Sequence, residues 1–388
     1  MKLCKRFHIL CLIALALLFA SCENEEPERI NEKTLFMYLP WSSNLTGHFY
    51  TNISDMEECI SRKGLNNEKV IVFISTDDTE ATMFEIIYKK GKCERKTLKN
   101  YTNPSFTTSE GITSILNDMK TFAPAHTYAM TVGSHGMGWL PVDNTRARSV
   151  SDIKKHWEYE GVPLTRYFGG TTREYQTDVS AFALGIADAG IKMEYILFDD
   201  CYMSSIEVAY ELKDVTGYLI GSTSEMMAYG MPYATVGGYL LGKPDYEAIC
   251  DEFYAFYSMY KYPYGTLAVT DCSELDNMAA IMKEINSRYV FDNSLTGSIQ
   301  RLDGYTPVIF FDYGDYVERL CEDPILLNEF REQLNRTVPY KTKTEKFYSA
   351  VTRSATPIRT FSGITTSDPS SNPVAASKED TKWYKVTH

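Results

Sequence analysis

Five short and nearly continuous apolar segments constrain the fold of this 388-residue chain more than any other feature. They lie at residues 34–41, 69–76, 127–134, 193–199 and 217–224. Strands of this kind are buried on both faces, so they require helices above and below the sheet. Segments with helical spacing of apolar residues separate them, so strand and helix alternate along the chain. The sequence therefore predicts an α/β fold with a mostly parallel, doubly wound central sheet.

The segments between these strands carry the helix and turn signals. We expect helices near residues 54–63, within 105–123, near 177–189 and at 204–213. Ser54 would open the first of these helices, with acidic side chains in its first turn. Residues 82–98 are instead predicted to form a hairpin around Lys90, Gly91 and Lys92.

Two reactive side chains stand at the ends of neighbouring predicted strands. His135 follows the third apolar segment, in TVGSHGMGWLP, and Cys201 follows the fourth, in EYILFDDCYMSSIEVAYEL. The carboxyl ends of parallel strands meet at one edge of an open sheet, so these side chains can converge despite their separation in sequence. A cysteine nucleophile needs a nearby base, and histidine supplies one at neutral pH. The pair predicts a cysteine peptidase.

Each of these side chains also has an ordinary structural explanation. A buried cysteine is commonly inert, and a histidine at a strand end usually satisfies a local hydrogen bond. The sequence around each of the two side chains favours a catalytic role instead. Cys201 lies where a strand passes into a helix, and helical N–H groups there would favour the thiolate. Of the six histidines in the sequence, only His135 occupies a glycine-flanked strand end.

These strings, with FMYLPWSSNL upstream and YLIGSTSEMMAYGMPY downstream, resemble the clostripain family of bacterial cysteine peptidases. The ordered matches cover roughly residues 34–239 and are more specific together than any one alone. The QAC string of caspases proper is absent. The resemblance implies a caspase-like α/β/α sandwich with a mostly parallel central sheet and a His135/Cys201 dyad that forms a thioester acyl-enzyme. It also implies an oxyanion hole formed by the N–H groups of Gly136 and Cys201.

The resemblance further implies that an acid near the nucleophile selects arginine or lysine at P1, the substrate residue before the cleaved bond. Asp199 lies two residues before the nucleophile and on the same side of the strand, so it is the first candidate for the S1 pocket. Asp200 is a second candidate, with a helix cap as its alternative role. Ser224 and Glu225 follow the fifth strand and are expected to border the pocket.

A long polar segment, residues 141–176, separates the histidine loop from the next predicted helix. It is rich in turn-forming and basic residues, which is typical of a surface loop near a functional site. In clostripain-like enzymes a basic site between the two catalytic strands is cut during self-activation. The resemblance therefore makes four residues candidate processing sites: Arg146, Arg148, Lys154 and Lys155. An ordinary solvated loop is the alternative.

The amino terminus has the pattern of an export signal. Three basic residues among the first six precede an apolar run at residues 9–20 that is short for a membrane span. Residues 1–21 are predicted to be a lipoprotein signal peptide and Cys22 its lipidated residue, with a plain signal peptide cut near Ser21 as the alternative. Residues 22–33 read as an acidic tether. In the Bacteroidetes such acidic runs resemble surface-export signals, so we expect an outer-membrane lipoprotein that anchors in the membrane by its lipid and is displayed on the cell surface.

Residues 34–240 are predicted to form the caspase-like peptidase core, and residues 241–388 a C-terminal α/β extension packed on it. The extension contains helical segments at 244–260 and 274–289, to which we assign support of the sheet and no separate chemistry. Nine cysteines without a CxxC spacing disfavour a disulfide scaffold and a cysteine zinc site, with one or two bridges outside the cytoplasm as the alternative.

The net charge of the chain and the motifs that its sequence lacks limit the partners and cofactors that we expect for it. The net charge of −12 disfavours nucleic acid, whose phosphates would be repelled. A zinc hydrolase is disfavoured because no HExxH string is present. The dyad requires no cofactor; calcium is possible only by family resemblance, since the sequence lacks a DxDxDG ligand loop and identifies no metal ligands. The expected partner is a peptide or protein with a basic P1 residue. The alternative function is a catalytically inactive caspase-like surface lipoprotein that binds peptide or glycan.

Overall fold

A nine-stranded sheet organises the part of the chain that this computed structural model describes, residues 30–142 and 175–388. The strands of the described residues, in chain order, are β1 (Asn31–Leu39), β2 (Glu68–Ser75), β3 (Glu80–Lys89), β4 (Lys92–Thr102), β5 (Ala125–Val132), β6 (Met193–Phe198), β7 (Thr216–Gly221), β8 (Thr266–Asp271), β9 (Phe311–Asp312), β10 (Tyr340–Lys343), β11 (Lys346–Ser349), β12 (Ser354–Pro357) and β13 (Thr365–Thr366). The large sheet has the order β10-β8-β7-β6-β5-β1-β2-β3-β4.

Helices cover the sheet. Those of the described residues are α1 (Thr46–Lys63), α2 (Ser109–Phe122), α3 (Val179–Asp188), α4 (Ile206–Leu212), α5 (Tyr233–Leu240), α6 (Tyr246–Met259), α7 (Leu275–Arg288), α8 (Tyr313–Leu320), α9 (Pro324–Thr337) and α10 (Lys382–Thr387). Within residues 30–142 and 175–388, none of them has the length and apolar character needed to cross a bilayer.

The five central strands, β7, β6, β5, β1 and β2, are parallel, as the apolar segments predict. The strands β3, β4, β8 and β10 join the two sides of this block by antiparallel pairing. The chain places β2, β3 and β4 in turn on one side of β1, and β5, β6, β7 and β8 in turn on the other side. The strand order therefore reverses between β1 and β5. A reversal of this kind opens a crevice at the carboxyl ends of the strands, where α/β proteins place their ligands. The predicted α/β fold with a mostly parallel sheet is confirmed.

The first helix begins earlier than the sequence analysis predicts. It starts at Thr46, eight residues before Ser54, and its N-cap residue Leu45 makes no side-chain cap hydrogen bond. The buried side chains of this helix repeat at spacings of three and four residues and include Phe49 and Ile53. This apolar face extends upstream of Ser54, and its burial outweighs the missing cap.

The predicted hairpin is confirmed. Strands β3 and β4 are antiparallel, and Lys89 pairs with Lys92 across the turn. The two turn residues have positive φ angles, 51° at Lys90 and 80° at Gly91. Two consecutive positive φ angles match the right-handed twist of a two-residue hairpin, and glycine adopts them without a steric penalty.

The C-terminal residues are part of the same body as the strands that precede them. Strand β8 pairs with β7, and β10 pairs with β8, so the segment after residue 240 extends the central sheet. One hydrophobic core contains Leu35 of β1, Leu267 of β8 and Trp383 of α10, each fully buried. Two small antiparallel sheets, β9 with β13 and β11 with β12, complete this segment.

Candidate active site

The two reactive side chains leave neighbouring strands at the same level of the sheet. Val132, the last residue of β5, pairs with Phe198, the last residue of β6. His135 and Cys201 each follow three residues after this pair, on loops at the carboxyl edge. The structure therefore places both loops where the strand pattern predicts them.

Gly136 brings the two loops into direct contact. A β-carbon added at Gly136 would lie 3.0 Å from the backbone nitrogen of Cys201 and closer still to its carbonyl oxygen. Real β-carbons essentially never approach backbone atoms this closely, so the contact requires glycine. The histidine loop and the cysteine loop are thus packed backbone to backbone.

Each reactive side chain is fully buried and has a polar neighbour. The Nε2 atom of His135 lies 2.7 Å from Oδ1 of Asn44, in the turn that precedes α1. The backbone N–H of Met226, in the loop after β7, donates to the Sγ atom of Cys201 at 3.1 Å. A hydrogen bond from this N–H stabilises a thiolate at Cys201, as the N–H groups at the N-terminus of a helix would.

The helix after Cys201 begins two residues later than the sequence predicts. Helix α4 starts at Ile206, and the Ser205 hydroxyl caps it by accepting from Val208 N–H at 3.2 Å. Between Cys201 and the helix stands Tyr202, a non-glycine residue with a φ of 61°. Such strain persists only where the surroundings fix the backbone, as they do at many active sites.

Three contacts fix Tyr202. Its ring stacks on Phe310 with centroids 4.8 Å apart, and its hydroxyl donates to the Glu225 carboxylate at 3.0 Å. Its backbone N–H donates to the Ser224 carbonyl at 3.1 Å. Phe310 is held in turn by Asp303, whose carboxylate accepts from its N–H at 2.6 Å. Burial raises the pKa of Asp303 to about 6, against the opposing effect of its backbone hydrogen bonds.

The predicted S1 acids occupy different environments. The Oδ1 atom of Asp199 accepts from the backbone N–H of Met231 at 2.8 Å, which ties β6 to the loop after β7. Asp200 accepts from the Ser134 N–H at 2.6 Å and so joins the His135 loop to the Cys201 loop. The cap of α4 is Ser205, so the alternative of Asp200 as the helix cap is wrong.

Ser224 and Glu225 are also buried beside the nucleophile loop. The Ser224 hydroxyl lies 3.1 Å from Oγ1 of Thr266 on β8. Besides Tyr202, the Glu225 carboxylate accepts from the Ser349 hydroxyl at 2.7 Å and from the Ala350 N–H at 3.0 Å. Both residues therefore connect the site to the C-terminal segment.

The sequence model of the clostripain family (Peptidase_C11) matches residues 37–354. This chain belongs to the clostripain family. It is therefore a cysteine protease, and its sheet and helices form the caspase-like fold expected from the sequence. Comparison with curated proteins gave no significant match.

Three solved structures of clostripain-type proteases resemble the chain. A secreted C11 cysteine protease from Bacteroides thetaiotaomicron, called iotapain, is 62% identical, with a TM-score of 0.86 over 92% of this chain and 99% of that one. A clostripain from Bacteroides thetaiotaomicron in complex with the peptide inhibitor BTN-VLTK-AOMK is 69% identical, with a TM-score of 0.56 over 57% of this chain and 99% of that one. An inactive zymogen C11 protease from Parabacteroides distasonis is 25% identical, with a TM-score of 0.76 over 92% and 99%.

The C-terminal segment of this clostripain-family chain builds the site as well as the sheet. The Trp139 indole N–H, on the histidine loop, donates to the Ser367 hydroxyl at 2.9 Å. The Ser204 hydroxyl, on the cysteine loop, donates to the Gly363 carbonyl at 2.8 Å. The sequence predicts only support of the sheet for this segment, and no motif in it indicates these long-range contacts.

The other cysteines within the described residues are poor nucleophile candidates. Burial raises the pKa of both Cys250 and Cys272 to about 12. Burial also raises the pKa values of Cys59, Cys93 and Cys321. All of these thiols are free in the described part of the chain, which leaves no disulfide there.

Several predicted residues lie outside the described residues: Cys22, Arg146, Arg148, Lys154 and Lys155. Across residues 30–142 and 175–388, no group of three or more His, Cys, Asp or Glu side chains is arranged to hold a metal ion. The described side chains therefore identify no calcium ligands.

Proposed function

We propose that this clostripain-family protease is an endopeptidase that cleaves after arginine or lysine through a His135/Cys201 dyad. The observation that carries the proposal is the contact of Gly136 with the backbone of Cys201, which holds the two loops together. The N–H of Met226 at the sulfur adds a stabilising group for the thiolate. The proposed chemistry needs no other described side chain to take or give a proton.

The proposed reaction has two steps. His135 accepts the proton of the Cys201 thiol, and the sulfur bonds to the carbonyl carbon of the scissile peptide. The oxyanion accepts hydrogen bonds from the N–H groups of Gly136 and Cys201, and the leaving amine takes the proton from His135. Water then attacks the thioester, with His135 as base, and releases the acid and the thiol.

Asp199 is our proposed S1 acid. It is buried two residues before the nucleophile, and Met231 N–H fixes one of its oxygens. The VLTK peptide of the inhibitor bound to the Bacteroides thetaiotaomicron clostripain ends in lysine, which supports a basic P1 residue for this chain as well. A buried carboxylate attracts a lysine or arginine side chain more strongly than a solvated one does.

Hydrolysis of fluorogenic peptides that differ only in P1 tests the proposal. Arginyl, lysyl and alanyl substrates are compared for the native protein, Cys201→Ala and His135→Ala, with calcium and with a chelator. Loss of turnover in both variants is expected. Turnover that survives in His135→Ala, with folding intact, would refute the dyad.

The variant Asp199→Asn tests whether the negative charge of Asp199 selects the P1 residue. Asparagine retains an oxygen for the Met231 N–H but carries no charge. We expect the ratio of arginyl to alanyl kcat/KM to fall by at least tenfold. An unchanged ratio would exclude Asp199 as the acid that selects P1.

We also propose that the chain is made as a zymogen and cut by itself at Arg146, Arg148, Lys154 or Lys155. Full burial of both Cys201 and His135 in the uncut chain supports this proposal, as does the description of a Parabacteroides distasonis relative as an inactive zymogen. Mass spectrometry of native and Cys201→Ala protein tests it. Cleavage of the purified Cys201→Ala chain at the same bond would refute self-processing.

We also propose that the protein is exported and anchored in the membrane by a lipid on Cys22. The iotapain relative is described as secreted, which supports export of this chain too. The signal pattern and Cys22 in the sequence support an outer-membrane lipoprotein displayed on the cell surface. Metabolic labelling with a fatty-acid analogue should mark the native protein and leave Cys22→Ala unlabelled.

A further inference from the structure

Asn44 lies in the FMYLPWSSNL string of the family resemblance, but nothing in the sequence assigned it a role in the site. It lies in the turn after β1, and β1 pairs with β5, the strand that leads to His135. Both loops therefore emerge at the same edge of the sheet. The Oδ1 atom of Asn44 is 2.7 Å from Nε2 of His135, which is the distance of a good hydrogen bond.

This hydrogen bond determines which ring nitrogen can act as the base. A neutral imidazole has one N–H donor and one acceptor nitrogen, whereas an amide oxygen only accepts. Nε2 of His135 therefore carries the proton when it bonds to Oδ1 of Asn44. The lone pair is then on Nδ1, so Nδ1 is the atom that receives the thiol proton. When the ring becomes positively charged, the Asn44 oxygen also stabilises the charge.

The turn that carries Asn44 is itself held in place. The neighbouring side chains Ser42 and Leu45 are fully buried, and the Ser42 hydroxyl donates to the Pro40 carbonyl at 2.9 Å. Ser43 has a φ of 55°, a conformation that a non-glycine residue keeps only when the surroundings impose it. Asn44 is thus presented to His135 by a fixed backbone.

We propose that Asn44 is a positioning residue that fixes the tautomer and orientation of His135. The proposal rests on the role of His135 as catalytic base in the proposed function. Asn44 acts through the imidazole of His135. The partners that orient metal-ligating histidines change affinity or activity by about ten- to a hundredfold when they are mutated, and we expect an effect of that size here.

Kinetics of Asn44→Ala, Asn44→Asp and a control variant provide the first test. Asn44→Ala should lower kcat about 10- to 100-fold with little change in KM, because the contact matters most when His135 is protonated. Asn44→Asp keeps an acceptor and adds a negative charge, so it should recover part of kcat and move the acidic limb of the kcat/KM profile to higher pH. Asn117→Ala, at an exposed position of α2, should behave as native protein.

Nitrogen-15 NMR of labelled histidine in the inactive Cys201→Ala protein provides a test that does not depend on activity. We expect the Nε2–H tautomer of His135 at pH 8, and a mixture of tautomers after Asn44→Ala. An Nδ1–H tautomer, or one unaffected by Asn44→Ala, would overturn the positioning role. Loss of activity in His135→Ala with an unaltered kcat in Asn44→Ala would refute this inference and leave the dyad standing.

Discussion

Gly136 and Cys201 are in backbone contact, so the spacing between the His135 loop and the Cys201 loop is set by a residue without a side chain. A β-carbon at Gly136 would meet the carbonyl oxygen and the nitrogen of Cys201, neither of which can rotate away. The loops would have to separate to admit it. Close packing of the two backbones therefore fixes how far the His135 loop lies from the Cys201 loop.

We predict that Gly136→Ala lowers kcat about 100-fold, because a displacement of about 1 Å in a catalytic group has an effect of that size. Steady-state kinetics with an arginyl peptide measure the loss, and circular dichroism checks that the variant folds. Gly297→Ala is the matched control, since a β-carbon there has no atom within 4 Å. Native turnover by folded Gly136→Ala would contradict the contact.

Glu225 anchors the Cys201 loop to the C-terminal segment. Its buried carboxylate accepts from Tyr202, Ser349 and Ala350. Glu225→Gln removes the charge and part of the acceptor capacity, so we predict a loss of about 2 kcal/mol in the free energy of unfolding. Urea denaturation of the Cys201→Ala protein measures this loss. Glu329→Gln, exposed on α9, should unfold at the native urea concentration.

Local sequence pattern predicted the central strands and the positions of the His135 and Cys201 loops, because buried parallel strands leave continuous apolar runs. It could not place the start of α1, where the apolar face around Phe49 forms a helix turn that no capping side chain marks. It also missed Asn44 and Phe310. Both reach the site by contacts between distant segments, and neither residue type carries a local signal of such a contact.

We expect thiol reactivity to distinguish Cys201, the proposed nucleophile, from the other cysteines. Burial raises the pKa of Cys93, the half-buried thiol on β4, whereas Met226 N–H supports a thiolate at Cys201. We predict that limiting iodoacetamide at pH 7 modifies Cys201 of the active protease at least tenfold faster than Cys93. Peptide mass spectrometry gives the two rates. Equal rates would contradict an activated thiol at Cys201.

A buried carboxylate pair joins the helix after the nucleophile to the C-terminal segment. Glu207, at the start of α4, accepts from the Ser367 N–H at 2.7 Å and the Thr366 hydroxyl at 3.2 Å. Burial and, next, the negative charge of Asp368 raise the pKa of Glu207 to about 7. The Lys378 ammonium interacts with both carboxylates, and burial lowers its pKa.

The raised pKa of Glu207 makes stability depend on pH in a defined direction. Between about pH 4.5 and 7 the folded protein keeps a proton that the unfolded chain has lost, so the free energy of unfolding decreases as the pH rises.

Glu207→Gln retains the acceptor for Ser367 but cannot ionise. Between pH 5 and 8, we predict that the free energy of unfolding of the native protein falls by about 1 to 3 kcal/mol relative to that of this variant. Urea denaturation of both proteins in the Cys201→Ala background measures the difference, and parallel pH profiles would show that Glu207 does not titrate in this range. Asp303 and Asp312, whose pKa values burial raises to about 6, are present in both proteins, so their effects cancel in the comparison.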